Sequence, residues 1–173
     1  AEVCAAVSEA GGYGTLGIAT ERPEAIAAQM RKVRELTDKP FGMNVALSYV
    51  TGTNVIDFVI EQGIRFVTTS SGSPSVCTQA FQEAGIRVFH VVPTLDMALK
   101  AIDCGVDGLD PIQKVSGMEP GGLKADFGSA LCFHGGIDTQ HVLPFGTRED
   151  VARHVRETVD ALGRDGGYIF APS

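Results

Sequence analysis

The chain has 173 residues, enough for one sizeable core but fewer than the roughly 250 of a complete eight-stranded (β/α) barrel. A formal net charge of −7 argues against a nucleic-acid partner, and no apolar run reaches the roughly 20 residues that a membrane helix requires. The four cysteines form no Cys-x-x-Cys pair and no signal peptide is visible, so we expect reduced thiols in a cytoplasmic protein.

Short apolar segments alternate with amphipathic stretches along the whole chain. An amphipathic stretch over residues 1–10 comes first, and further helices are predicted over 24–36, 55–62, 75–84, 95–103, 121–127 and 148–162. Strands are predicted over 14–19, 41–47, 65–70, 87–92, 106–112, 131–137 and 167–171. These runs are continuously apolar, which is typical of parallel strands covered on both faces.

The alternation predicts an α/β fold in which parallel strands are joined by right-handed crossovers. The favoured fold is a TIM (β/α)8-type parallel barrel that is incomplete, because the pattern lacks a first strand and a last helix. A doubly wound open sheet is the alternative. No linker or change of composition divides the chain, so residues 1–173 are predicted to form a single domain.

In such barrels, ligands bind at the carboxyl ends of the strands. The loops there contain the candidate cofactor-binding residues Asn44, Thr69, Ser70, Gly72, Gly135 and Gly136, and the candidate catalytic residues His134 and Asp138. Hydroxyls and N–H groups before a helix suit an anion or a carbonyl-rich ring, and a glycine pair lets the backbone approach a phosphate. Ordinary turns remain the alternative for both loops. His134 and Asp138 could form an acid/base pair or a structural hydrogen bond.

Four segments in the first part of the chain resemble the nitronate monooxygenase family. They are AAVSEAGGYGTLG, RKVRELTDKPFGMNVAL, FVTTSSGSPS and VFHVVPTLDMALKAIDCGVD, within residues 1–107. The resemblance implies a TIM barrel carrying FMN, with Asn44, Thr69, Ser70 and Gly72 against the flavin and the Gly135–Gly136 pair near its phosphate. The family's catalytic histidine has no counterpart in the segment VSGMEPGG.

The remainder, residues 106–173, resembles the uroporphyrinogen decarboxylase and cobamide methyltransferase family, also TIM barrels. The resemblance is carried by DPIQ, FHGGIDTQ, LPFGT and GGYIFAPS. The two parts would meet at Gly105-Val106-Asp107. The methyltransferases' zinc ligands have no counterpart here, since His90-Val91-Val92 stands where His-x-Cys is expected, so no metal site is predicted.

These observations lead to three hypotheses. The first is an FMN-dependent oxidoreductase that oxidises a small-molecule substrate, a nitronate or nitroalkane, with dioxygen; it is inactive unless His134 replaces the missing base. The second is a decarboxylase or methyltransferase that uses Asp110, Gln113, His134 and Asp138. The third is a non-catalytic barrel scaffold that pairs its open ends in a homo-oligomer.

Overall fold

The structure is a computed structural model that describes residues 1–18, 23–49, 54–113 and 117–172. Its contacts divide the chain into two compact units, Ala1–Phe89 and His90–Ser173. Each unit is built from parallel strands that alternate with helices, which confirms the predicted α/β class. The expectation that residues 1–173 form one domain stays a prediction, and so does the barrel's incompleteness.

The first unit contains three strands that pair side by side in chain order. Its elements are α1 (Glu2–Glu9), β1 (Gly14–Gly17), α2 (Pro23–Leu36), β2 (Phe41–Ala46), α3 (Asn54–Glu61), β3 (Phe66–Ser70) and α4 (Thr78–Glu83). β1 pairs with β2 and β2 with β3, all in parallel. A fourth strand, β4 (Arg87–Val91), runs across the boundary between the units.

Helical periodicity explains the core of this unit. Apolar side chains at three- and four-residue spacing put Ile26, Met30 and Val33 on the buried side of α2. Met43 and Val67 are fully buried, while the residues next to them in β2 and β3, Asn44 and Thr68, are only partly buried. Because side chains alternate along a strand, one face of this sheet packs in the core and the other carries polar groups.

The second unit also contains three strands in chain order. Its elements are α5 (Leu95–Asp103), β5 (Gly108–Ile112), α6 (Pro120–Phe127), β6 (Cys132–Ile137), α7 (Val142–Phe145), α8 (Arg148–Leu162) and β7 (Tyr168–Pro172). β5 pairs with β6 and β6 with β7, again in parallel. A doubly wound sheet reverses its strand order at a switch point, and the described strands of neither unit show such a reversal.

Most predicted elements are confirmed, with ends that shift by one or two residues. The helix predicted over 75–84 differs, because a 3₁₀ turn at Pro74–Val76 precedes the shorter α4. The four-residue α7 was not predicted at all. Within the described residues, no helix is both long and apolar enough to cross a bilayer.

Candidate functional site

The carboxyl ends of β1, β2 and β3 carry a polar surface, formed by Gly17, Asn44, Thr68 and Ser70. The strand register places Gly17 opposite Asn44 and Asn44 opposite Thr68. The Asn44 Nδ2 atom donates a hydrogen bond to Thr68 Oγ1 over 2.8 Å. A Cβ atom built on Gly17 would meet nothing within 4 Å, so the space beside the amide is open. We call these four residues the Asn44–Thr68 face.

Aromatic rings pack on the same side of the sheet, nearer the amino ends of the strands. The Phe66 ring lies edge-on to Tyr13 and Phe89, with centroid distances of 5.2 Å and 5.0 Å. Gly42 makes room for this packing, because a Cβ there would lie 2.8 Å from the Phe66 carbonyl oxygen and 3.0 Å from the Tyr13 ring. The polar groups of the face therefore lie above an apolar layer.

The structure separates the two neighbouring threonines of β3. Thr68 belongs to the Asn44–Thr68 face, whereas Thr69 is fully buried on the opposite side, where its hydroxyl donates to the Phe89 carbonyl over 3.4 Å. Only the backbone of Thr69 could therefore meet a ligand at this face. Thr68 was not among the predicted site residues, although strand alternation with Asn44 as the reference would have indicated it.

The turn after β3 brings Gly72 close to the segment after β2. A Cβ on Gly72 would lie 2.8 Å from the Leu47 Cβ, so the close approach requires glycine. Ser71 beside it has a φ of 55°, in the left-handed region that is uncommon for residues with a side chain. Gly72 is exposed and Ser70 half-buried, so both are accessible at the end of this unit's sheet.

The second unit pairs His134 with Asp110. Leu109 lies opposite Phe133 in the parallel β5–β6 pair, and the register shifts between Leu109 and Ile112. Leu109 and Phe133 are buried, whereas the residues that follow them, Asp110 and His134, are only partly buried. His134 Nδ1 lies 2.6 Å from Asp110 Oδ1. The predicted pair of His134 with Asp138 is therefore not the one that the structure forms: the carboxylate that holds His134 is on β5.

Asp138 instead organises the turn after β6. Its Oδ1 accepts hydrogen bonds from the backbone N–H groups of Gln140 and His141, each over 2.8 Å, and its Oδ2 lies 3.2 Å from His141 Nδ1. Burial by itself raises the pKa of Asp138, but the hydrogen bonds from His141 and Gln140 outweigh it and bring this pKa below its usual value. The Asp138 carboxylate therefore stabilises this turn.

The glycine pair at the end of β6 packs closely against α8. Gly135 and Gly136 have φ values of 102° and 88°, and the Gly135 carbonyl accepts a hydrogen bond from the Tyr168 hydroxyl over 2.7 Å. A Cβ on Gly136 would lie 2.8 Å from Thr158 Cγ2. The sequence had suggested glycine here for a phosphate, and helix packing is a second physical reason for it.

A cleft of about 200 Å³ lies beside this glycine pair, between α6 and α8. His154, Glu157 and Thr158 line it, and His154 Nε2 lies 3.1 Å from the Asp138 backbone nitrogen and 3.2 Å from the Gly136 carbonyl oxygen. The Nε2 atom of His154 is therefore in contact with the backbone at two points. Throughout the described ranges, no three histidine, cysteine or acidic side chains lie close enough together to hold a metal ion.

Curated relatives match most of this chain but less than half of their own length. A (3aS,4S,5R,7aS)-5-hydroxy-7a-methyl-1-oxo-octahydro-1H-indene-4-carboxyl-CoA dehydrogenase from Mycobacterium tuberculosis is 28% identical over 138 residues, covering 80% of this chain and 38% of the relative. A nitronate monooxygenase from Pseudomonas aeruginosa is 26% identical over 164 residues, covering 72% and 46%.

Two solved structures share the fold. FabK from Thermotoga maritima has a TM-score of 0.61 at 23% identity, over 98% of this chain and 53% of that one. Nitroalkane oxidase from Streptomyces ansochromogenes has a TM-score of 0.58 at 16% identity, over 98% and 60%. At these identities the likeness concerns the fold alone, an α/β fold of the TIM-barrel type.

The sequence model of one family extends further along the chain than we expected. The nitronate monooxygenase model matches residues 1–140, past the junction predicted at 105–107 and through β6. The expected resemblance of residues 106–173 to uroporphyrinogen decarboxylases receives no support from these comparisons. Since the match covers most of the sequence, the chain belongs to the nitronate monooxygenase family.

Proposed function

We propose that this chain is the flavin-holding part of an FMN-dependent oxidoreductase that oxidises small nitronates or nitroalkanes with dioxygen. Its family membership supports the class of reaction. The observation that carries the proposal is the Asn44–Thr68 face, an accessible amide and two hydroxyls at the carboxyl ends of neighbouring strands. Ligands of parallel α/β enzymes bind at this end of their strands.

The chemistry of this face fits the edge of a flavin ring. Such a ring presents carbonyl oxygens and an N–H group in one plane, and an asparagine amide offers both acceptor and donor atoms. The bond to Thr68 uses one N–H of Asn44 and holds the amide in a fixed orientation. The Asn44 Oδ1 atom and the second N–H are then available for a ligand, and open space beside Gly17 leaves room for a flat ring.

The other proposed contacts follow from the position of each group. Ser70 offers a hydroxyl on the same face as Asn44, Gly72 an accessible backbone, and Thr69 its backbone only. Gly135 and Gly136 belong to the second unit, and we propose a phosphate-binding role for this pair by itself, as the family resemblance implies. Bound FMN would supply the electron acceptor between the substrate and dioxygen. The chain's own residues bind and orient it.

Titration with FMN tests the proposal, with quenching of flavin fluorescence as the readout. Asn44→Ala should weaken binding about tenfold, the equivalent of roughly 1.4 kcal/mol for a lost amide hydrogen bond. Gln79→Ala removes an exposed amide on α4, where Gln79 bonds Glu83, and serves as the matched control. If the purified chain takes up no FMN, or if both variants bind as the unchanged chain does, the proposal is wrong.

A further inference from the structure

The contact between Asp110 and His134 is short and partly shielded from water. His134 Nδ1 lies 2.6 Å from Asp110 Oδ1, and the two side chains are 31% and 19% exposed. This distance is at the short end for a hydrogen bond between a ring N–H and a carboxylate. Asp110 lies in the stretch of β5 between Leu109 and Ile112 where the register with β6 shifts, just after the regular pair Leu109–Phe133. The two partners are therefore neighbours on adjacent strands.

The hydrogen bond determines which ring nitrogen is basic. An ionised carboxylate only accepts hydrogen bonds, so Nδ1 must carry the proton that it donates to Asp110. In the neutral ring, the lone pair then lies on Nε2. Within the described ranges, His134 Nε2 has no hydrogen-bond partner. A basic nitrogen that is oriented by a carboxylate and still available is what proton abstraction requires.

The other histidines lack this combination. His90 is 99% buried, because only 1% of its surface is exposed. His141 is 78% exposed on a surface turn, and its contact with Asp138 is longer, at 3.2 Å. The Nε2 atom of His154 is engaged by the backbone at Asp138 and Gly136. His134 is thus the histidine whose geometry favours a base.

We propose that Asp110 and His134 form a proton-abstracting dyad, in which His134 Nε2 is the base and Asp110 positions the ring. With the nitroalkane substrate of the proposed function, on which this inference rests, Nε2 takes the proton from the carbon next to the nitro group. The C–H bond breaks, an N–H bond forms, and the electron pair moves onto the nitro oxygens. The product is a nitronate, and the imidazolium returns its proton to solvent. No oxidant takes part in this step.

Because the step involves no oxidation, it can be measured without dioxygen. The chain, with and without added FMN, is placed in D₂O with nitroethane, and NMR follows the loss of the protons next to the nitro group, with the rate in buffer alone subtracted. His134→Gln should lower the protein-dependent exchange rate about 10²- to 10⁴-fold, the usual contribution of a general base. Asp110→Asn should lower it about tenfold or more, since second partners of this kind orient the ring.

Asp126→Asn removes an exposed carboxylate on α6 and is the control for the change of charge. Asp110→Glu keeps a carboxylate and should restore part of the exchange rate that Asp110→Asn loses. Ring ¹⁵N NMR gives an independent readout of the positioning: protonation at Nδ1 in the unchanged chain, and a mixture of both tautomers in Asp110→Asn. Thermal unfolding of each variant shows whether it is folded.

The outcomes separate this inference from the proposed function. Exchange by folded His134→Gln at the unchanged rate overturns the dyad, and an unaltered tautomer together with an unaltered rate in Asp110→Asn overturns the role of Asp110. A chain that binds FMN but exchanges no proton refutes the dyad alone. A chain that exchanges protons through His134 but takes up no FMN refutes the flavin proposal alone.

Discussion

Replacing Gly136 by alanine tests the close packing between the end of β6 and α8. The φ of 88° lies in the left-handed region, where a residue with a Cβ loses about 1–2 kcal/mol. The new Cβ would also lie 2.8 Å from Thr158 Cγ2, and overpacking of this kind costs about 1–3 kcal/mol. The Thr158 methyl cannot easily turn away, because β-branched side chains in helices have few allowed rotamers. Gly136→Ala should therefore lower the free energy of unfolding by about 2–5 kcal/mol.

Gly166→Ala is the matched control, since it changes the backbone without the steric overlap. Gly166 has a φ of 80°, in the same region, and a Cβ there would meet nothing within 4 Å. The free energy of unfolding of this variant should fall only by the cost of the backbone conformation, about 1–2 kcal/mol. For a chain of this size, 1 kcal/mol corresponds to a shift of roughly 2–4 °C in Tm.

Urea denaturation of both variants measures the difference directly, and Thr158→Ser adds a second check. Serine lacks the Cγ2 methyl, so in the Gly136→Ala background it should recover the overpacking part of the loss. Equal losses for Gly136→Ala and Gly166→Ala would show that the contact with α8 does not constrain Gly136. A double variant as unstable as the sum of the two single changes would lead to the same conclusion.

Two further predictions concern the second unit. Hydrogen bonds from the Thr147 side chain and backbone, followed by that from Arg153, hold the pKa of Asp150 at about 2, below its ordinary 3.8. An ionised Asp150 stabilises the fold above the ordinary pKa of a carboxyl group, and this stabilisation is lost as the pH falls toward 2. The Tm difference between the unchanged chain and Asp150→Asn should therefore be full above about pH 5 and shrink toward pH 2. A Tm difference that does not depend on pH would contradict this. Tyr168→Phe removes the bond to the Gly135 carbonyl and should lower the free energy of unfolding by about 1 kcal/mol in urea denaturation, whereas no measurable loss would show that water replaces that bond.

The sequence predicted the elements of the fold well because apolar periodicity is a local signal. The starts of α5 and α8 are local features too, because Thr94 and Thr147 each accept a hydrogen bond from a backbone N–H in the first turn of the helix that follows. α7 was missed because only four residues, Val142–Phe145, form it, and such a short segment shows no full helical period.

The partners of the site residues were harder to predict, because they lie far apart in sequence. Asp110 and His134 are separated by 24 positions, and they meet because β5 pairs with β6, with a register shift just after Leu109. Asp138 is four positions from His134 and looked like the closer partner, but its carboxylate turns to the backbone of the loop that follows it. Register is set by pairing between distant segments, so a single sequence does not reveal it.

Both units place their candidate groups according to the same rule. Asn44 and Thr68 follow the buried Met43 and Val67 in their strands and lie on the other face, and His134 follows the buried Phe133 in the same way. A family resemblance assigns roles by position along the chain, and it therefore did not separate Thr69, which points into the core, from Thr68, which does not. The alternation of side chains makes that separation. It also explains why a one-residue shift of β2, β3 or β6 would exchange a candidate site group for a core side chain. The register of each strand therefore determines both which side chains form the core and which lie at the candidate site.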